Sequence, residues 1–268
     1  MEAAAATVKR RFDLASSLEM LRALVRRAAN ELLRVPGAAI PGVLAPTIFF
    51  LGLTAAFGSL TLLPGFSTDT YQSFIIPVSL MQGAGFTGAA TGVNLARDIE
   101  LGWFDRLLAS PAPRPVLLAG LVLSASLRAL IPATVLLTVG FILGIHWPGL
   151  DGLVLALFLV MGMGALAACW GVTLALKFRS QSAAPLMQAG MFILILFTTA
   201  YAPEDLLQPW LADVASVNPV THVVEAARQG FVTGTVAWGE TWPALVALGA
   251  LLTIMVALAL RGMRRISY

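Results

Sequence analysis

Six long apolar runs set the pattern of this chain, at residues 37–60, 71–96, 116–144, 152–176, 184–201 and 242–260. Each is close to or beyond the roughly 20 residues that a helix needs to cross the hydrocarbon of a bilayer, so each predicts a transmembrane helix. Pro41, Pro46, Pro77 and Pro132 fall inside these runs. Membrane helices tolerate proline where neighbouring helices satisfy the freed carbonyls. Two other stretches carry a different pattern. From Asp13 to Arg34, Leu14, Leu18, Leu21, Val25, Ala28 and Leu32 recur at three- and four-residue spacing, with Arg22, Arg26 and Arg27 mainly off that stripe. This predicts an amphipathic helix whose basic face suits an anionic inner leaflet. Residues 202–240 are too polar, and too broken by Pro203, Pro209 and Pro219, to span. They predict two short helices, about 204–213 and 219–231, forming a re-entrant hairpin that must pack on protein. The fold class expected is an all-α membrane protein with six transmembrane helices.

Composition agrees with the pattern. Apolar residues make up 58% of the 268 positions and charged residues 12%, against about a quarter charged in soluble domains. The charges that remain are segregated. Lys9, Arg10, Arg11, Arg22, Arg26, Arg27 and Arg34 precede the first run, Arg97, Arg106 and Arg114 follow the second, Lys177 and Arg179 follow the fourth, and Arg261, Arg264 and Arg265 follow the last. All but two of the seventeen bases therefore fall on one side of a six-span chain, while Asp69, His146, Asp151 and the acidic 202–240 stretch fall on the other. By the positive-inside rule both termini are cytoplasmic, in a multi-pass protein of the cell membrane. The basic excess thus reports topology and membrane lipid rather than nucleic acid. No cleavable signal peptide is expected, because no apolar core follows the first bases at the required distance. The domain limits read as a tail at 1–36, a membrane domain at 37–260 and a basic tail at 261–268.

The segment from Arg97 to Pro115 is a charged and aromatic island between two apolar runs. Alternating acids and bases are costly in hydrocarbon, and its Pro-Ala-Pro-Arg-Pro end cannot continue a helix. A short interfacial helix at about 97–111 follows, placed to act as a docking surface; a solvated loop that merely enforces topology is the other reading. The two bases outside the topological pattern are Arg128 and Arg228. Arg128 falls ~20 Å into the third run and needs a partner or a wet cavity, which leaves open an ion pair and a lining of a translocation path. Gln82, Asn94 and Gln188 are uncharged candidates at similar depth, for interhelical hydrogen bonds or for the same path.

Several kinds of chemistry have no residues to carry them. A P-loop needs Gly-Lys-Ser/Thr, and the two lysines, Lys9 and Lys177, are followed by Arg10 and Phe178. His146 and His222 are far apart and Cys169 is the single cysteine, so no metal set is suggested. No Gly-x-Ser-x-Gly elbow occurs. The chain reads as a non-enzyme that binds no cofactor of its own.

Three segments carry a family resemblance. Asp98-Ile99-Glu100-Leu101-Gly102-Trp103-Phe104-Asp105-Arg106-Leu107-Leu108-Ala109-Ser110-Pro111 resembles the signature that follows the second span in ABC-2 type transporter permeases, the family of the daunorubicin-resistance exporters. Phe178-Arg179-Ser180-Gln181-Ser182-Ala183 is a second match. Asn218-Pro219-Val220-Thr221-His222-Val223-Val224-Glu225-Ala226-Ala227-Arg228-Gln229-Gly230 is similar to the family's segment before the last span. The acid of the first signature is displaced here to Asp105, and His222 stands where an aromatic is frequent. The resemblance implies a separate cytoplasmic ATPase, two copies of it, holding ATP and magnesium. It would dock on Asp98, Glu100, Gly102, Trp103, Phe104, Asp105, Arg106, Leu107 and Leu108, with Glu100, Asp105 and Arg106 as polar contacts and Trp103, Phe104 and Leu107 filling a cleft. A second permease, identical or related, would complete the transporter, and Asn218, Pro219, Glu225 and Arg228 would mark the hairpin. The implied cargo is an amphipathic drug, antibiotic or lipid. A lipid-linked glycan is the alternative cargo, and an ion-coupled secondary transporter the alternative class.

Overall fold

The computed structural model describes residues 40–64, 66, 68–104 and 113–265, which form helices and, among the described residues, no strand. The helices are α1 (Ile40–Phe57), α2 (Tyr71–Glu100), α3 (Arg114–Arg128), α4 (Leu130–Ile142), α5 (Gly149–Phe178), α6 (Ala184–Leu196), α7 (Pro209–Val217), α8 (Pro219–Thr233) and α9 (Trp238–Arg265). Single 3₁₀ turns occupy Gly58–Leu62, Gln181–Ala183 and Glu204–Leu206. The expected helix at 13–34 lies outside the described residues, as do residues 105–111 of the 97–111 segment.

Among the described residues, four segments are long and apolar enough to cross a membrane: Gly42–Leu62, Arg114–Ile142, Gly149–Phe178 and Trp238–Arg265. α1 and α9 leave Leu44, Ile48, Leu51, Val246 and Ile254 exposed, as lipid-facing helices do. Helix α2 differs. Its 30 residues reach ~45 Å, beyond the hydrocarbon thickness, but it carries Ser73, Ser79, Gln82, Gly88 and Gly92 among its buried residues. Its surroundings explain this: α2 is enclosed by α5, α1, α6 and α4, so its neighbours are protein rather than lipid.

Small residues set the closest of these contacts. A methyl group added at Gly88 would lie 2.4 Å from the carbonyl oxygen of Gly164, and one at Gly92 would lie 2.3 Å from the backbone of Gly171. The two backbones touch directly, the contact that replaces hydrophobic driving force between helices in lipid. Gly152 of α5 and Gly230 of α8 meet in the same way, a Cβ at Gly152 falling 2.9 Å from the Gly230 Cα. This seats the second hairpin helix on the bundle.

The sequence pattern and the helices disagree at definite places. The third run is a rod broken at Ala129, because Pro132 cannot donate to the carbonyl of Arg128 and its ring crowds that group. The fifth run remains helical only to Leu196, ~20 Å, and continues as turns through Tyr201. The first hairpin helix starts at Pro209, not 204, since proline suits the first helical position and not the interior. The basic tail is no separate element up to Arg265; α9 continues through it, with Arg114 Nη1 donating to the Met263 carbonyl at 2.7 Å.

Candidate functional site

The helix ends gather into two polar clusters, one at each end of the bundle. At the basic end, the first four island residues are not an independent helix but the last turn of α2, which runs to Glu100. Gly102 ends it. Its φ of +70° lies in the left-handed region that glycine enters without cost, and its N–H donates to the Ile99 carbonyl at 3.0 Å. Helical backbone resumes at Trp103 and Phe104, and these two neighbours face opposite ways. Trp103 is 57% exposed, whereas Phe104 is 2% exposed and belongs to the core. Phe104 therefore anchors the segment to the bundle and is not a surface contact. Asp98 sits half-buried on the last turn of α2, while Asp105, Arg106, Leu107 and Leu108 lie outside the described residues.

Glu100 is engaged inside the chain. Its Oε1 accepts from the Ser180 hydroxyl at 2.8 Å and from the Gln181 backbone N–H at 2.9 Å, and its Oε2 accepts from Gln181 Nε2 at 2.6 Å. These bonds join the first and second motifs across some eighty positions of sequence. Glu100 is exposed at the end of α2, four residues past the apolar 71–96 run. The Gln181 side chain above all, then the Gln181 N–H and the Ser180 hydroxyl, hold its carboxyl below the ordinary glutamate range by bonding the charged form. The receiving turn is itself constrained: Arg179, with φ of +53°, ends α5 in the left-handed region, and Ser180 Oγ caps the turn by accepting from the Ser182 N–H at 3.2 Å.

At the other end the third motif solves a backbone problem. Where α6 unwinds, its carbonyls lose their helical donors, a costly state away from water. Asn218 Nδ2 donates to the carbonyls of Leu194 at 2.9 Å and Phe197 at 2.7 Å, while Asn218 Oδ1 caps α8 by accepting from the Val220 N–H. Pro219 fills the first position of α8, where a missing N–H does no harm. Arg228, 4% exposed, donates through Nη2 to the carbonyls of Thr199 and Ala200, through Nε to that of Phe74, and through Nη1 to Glu225 at 2.7 Å. Thr199 Oγ1 also donates to Glu225. Tyr71 donates its hydroxyl to the Tyr201 carbonyl at 3.0 Å, and Gln82 Nε2 reaches the Tyr201 hydroxyl at 2.6 Å. Beside this network lies a cavity of about 440 Å³ whose lining includes Thr199, Glu204, Thr221, His222, Glu225 and Arg228.

Between the two ends, Arg128 Nη2 donates to Thr91 Oγ1 of α2 at 2.8 Å. Asn94 and Gln188 are half-buried on α2 and α6 and are not among the residues of the Arg228 network that Gln82 joins through Tyr201. Sequence reasoning did not assign parts to Tyr201, Thr199 or Phe74. Phe74 and Thr199 offer Arg228 their backbone carbonyls, which no side-chain pattern announces.

Residues 19–232 match the family described as ABC-2 type transporter, most of the chain. The chain belongs to the ABC-2 type transporter family. It is 25% identical over 240 residues to the daunorubicin resistance ABC transporter permease protein DrrB1 of Streptomyces coeruleorubidus, covering 88% of this chain and 82% of that protein. It is 26% identical over 226 residues to the probable doxorubicin resistance ABC transporter permease protein DrrC of Mycobacterium tuberculosis, covering 84% and 79%. The putative transport permease ycf38 of Pyropia yezoensis is 24% identical over 257 residues, covering 91% and 86%. This ABC-2 family member is thus a multi-pass membrane protein related along nearly its whole length to transport permeases.

Proposed function

We propose that this chain is the membrane-spanning subunit of an ATP-driven exporter of amphipathic, drug-like compounds, working with a separate cytoplasmic ATPase. The cargo class rests on the drug-resistance permeases to which it is similar. The docking role rests on one observation, an exposed Trp103 placed directly after a left-handed glycine and beside a buried Phe104 anchor. A large aromatic held on a fixed backbone is the usual centre of a protein interface. In this reading α1, α2, the α3–α4 rod, α5, α6 and α9 are six crossings, with α7 and α8 completing the depth that short α6 leaves. Both chain termini are cytoplasmic, supported by Arg97, Arg114, Lys177, Arg179, Arg264 and Arg265 at one end of the bundle.

Six crossings make half a transporter, so a second permease, identical or related, pairs with this one. ATP and magnesium bind in the two ATPase copies, whose closure moves the segments after α2 and so biases the permease between inward and outward exposure. Arg128, half-buried between α3 and α2, lines or props the path between the permeases.

The deciding experiment is co-purification of the Trp103→Ala protein with the ATPase of the same transport system. Loss of a hot-spot aromatic worth about 2 kcal/mol weakens the complex about 30-fold and removes compound-stimulated hydrolysis. Wild-type affinity would refute docking at this segment.

A further inference from the structure

Short as it is, α6 is held at both ends by residues from elsewhere in the chain. Its basic end begins at the 3₁₀ turn whose Ser180 and Gln181 donate three hydrogen bonds to Glu100 of α2. Its opposite end, and the turns that follow it, have their carbonyls taken by Asn218, the cap of α8, and by Arg228 of α8. The 13 intervening residues are continuous helix, a stiff rod of ~20 Å. The rod therefore joins the last turn of α2, two residues before the segment carrying Trp103, to the wall of the outer cavity formed by Thr199, Glu225 and Arg228.

From this we infer that Ser180 and Gln181 are positioning residues that deliver movement of the docking segment to the outer cavity. The inference rests on the docking role proposed for Trp103. Glu100 ties the start of α6 to the docking end of α2, so the two ends move together. The displacement travels along α6 and reaches α8 through Asn218 and Arg228, changing the access of the cavity to the outer medium. The left-handed Arg179 makes this a directed link, because the α5–α6 turn is fixed in one geometry rather than free to swivel. The side chains at 180 and 181 are not among those lining the cavity and lie outside the docking segment, so their removal separates docking from its consequence.

The test places a reporter on the cavity wall, Ser216→Cys, at an exposed position, in the complex with its ATPase in lipid vesicles. The native Cys169 is fully buried in α5 and does not compete for label. Labelling by a membrane-impermeant maleimide is timed with and without ATP and vanadate. In the parent, nucleotide changes the rate by about fivefold or more, the lower range of ordinary coupling between sites. With Ser180→Ala and Gln181→Ala added, the ATPase still co-purifies and hydrolyses at its basal rate, but the nucleotide-dependent change disappears. Ser180→Thr, which keeps the hydroxyl, retains it. Should the double variant fold poorly, Gln181→Ala alone removes one of the three bonds and reduces the change. Persistence of the full change without the Ser180 and Gln181 side chains overturns the inference, as does its absence in the parent. Failure of the docking role itself shows separately, as unaltered ATPase affinity in Trp103→Ala.

Discussion

The guanidinium of Arg228 lies 3.8 Å from the centroid of the Phe74 ring while its Nε donates to the carbonyl of the same residue at 3.1 Å. One side chain thereby binds both the face and the backbone of Phe74, and still reaches Glu225, Thr199 and Ala200. Only a planar fork of five N–H donors can do this.

Arg228→Lys should accordingly behave as a loss rather than a conservative change. A lysine keeps the charge near Glu225 but cannot span the three carbonyls, so unfolding of the purified protein in detergent should occur at clearly lower temperature. Arg228→Leu, which leaves those carbonyls without the arginine donors and the Glu225 carboxylate without its ion-pair partner, should cost about 3 kcal/mol and exceed the lysine effect. Equal unfolding temperatures for parent and lysine variant would contradict this account of the network.

The contact of α2 with α5 makes a second prediction. Gly92→Ala places a methyl 2.3 Å from the Gly171 backbone, which must move aside. Overpacking of this kind costs about 1–3 kcal/mol, and Gly92→Leu should prevent accumulation of folded protein. Gly249→Ala on α9 is the control, because nothing lies within 4 Å of the added atom there. Fluorescence-detected gel filtration after heating would rank the three, and a Gly92→Ala profile matching the control would refute direct backbone contact.

The clamp at Glu100 should weaken in acid. Its carboxyl is held below the ordinary range by bonds from Gln181 and Ser180, so the folded state favours the charged form. The stabilisation is complete above the unfolded glutamate value of about 4.3 and is lost as pH falls through the lower folded value. Hydrogen exchange at the Gln181 N–H should be slow and level from neutral pH down to that range, then rise relative to neighbouring amides as the clamp protonates. An amide that opens on moving from pH 8 to 6 would disagree with the sign of the shift.

Much of this architecture could be read from the chain. The apolar runs and the segregation of bases marked most helices and the two chemically different ends. The prolines at 209 and 219 marked the hairpin helices, although only one of their starts fell where the pattern put it. The side chains of Asn218 and Arg228 were visible as a motif, but their partners were not, because carbonyls of Leu194, Phe197, Thr199 and Ala200 look like any other backbone until α6 unwinds. Trp103 and Phe104 are adjacent and alike in sequence; their opposite burial follows from the turn at Gly102, a tertiary fact. Glu100 illustrates the same limit, since its partners lie eighty residues away and nothing local distinguishes an acid facing a partner protein from one facing its own chain.

The polar, glycine-rich character of α2 has a consequence for biogenesis. The helix that most others pack against is less suited to plain lipid than α1, α5 or α9, and its closest packing partner, α5, emerges from the ribosome only after α3 and α4 have been made. At about 5–20 residues per second that interval lasts seconds. Through it, the centre of the future bundle has to be sheltered by insertion machinery or by α1 and α3, so the order of synthesis makes α5 the element that commits α2 to the membrane.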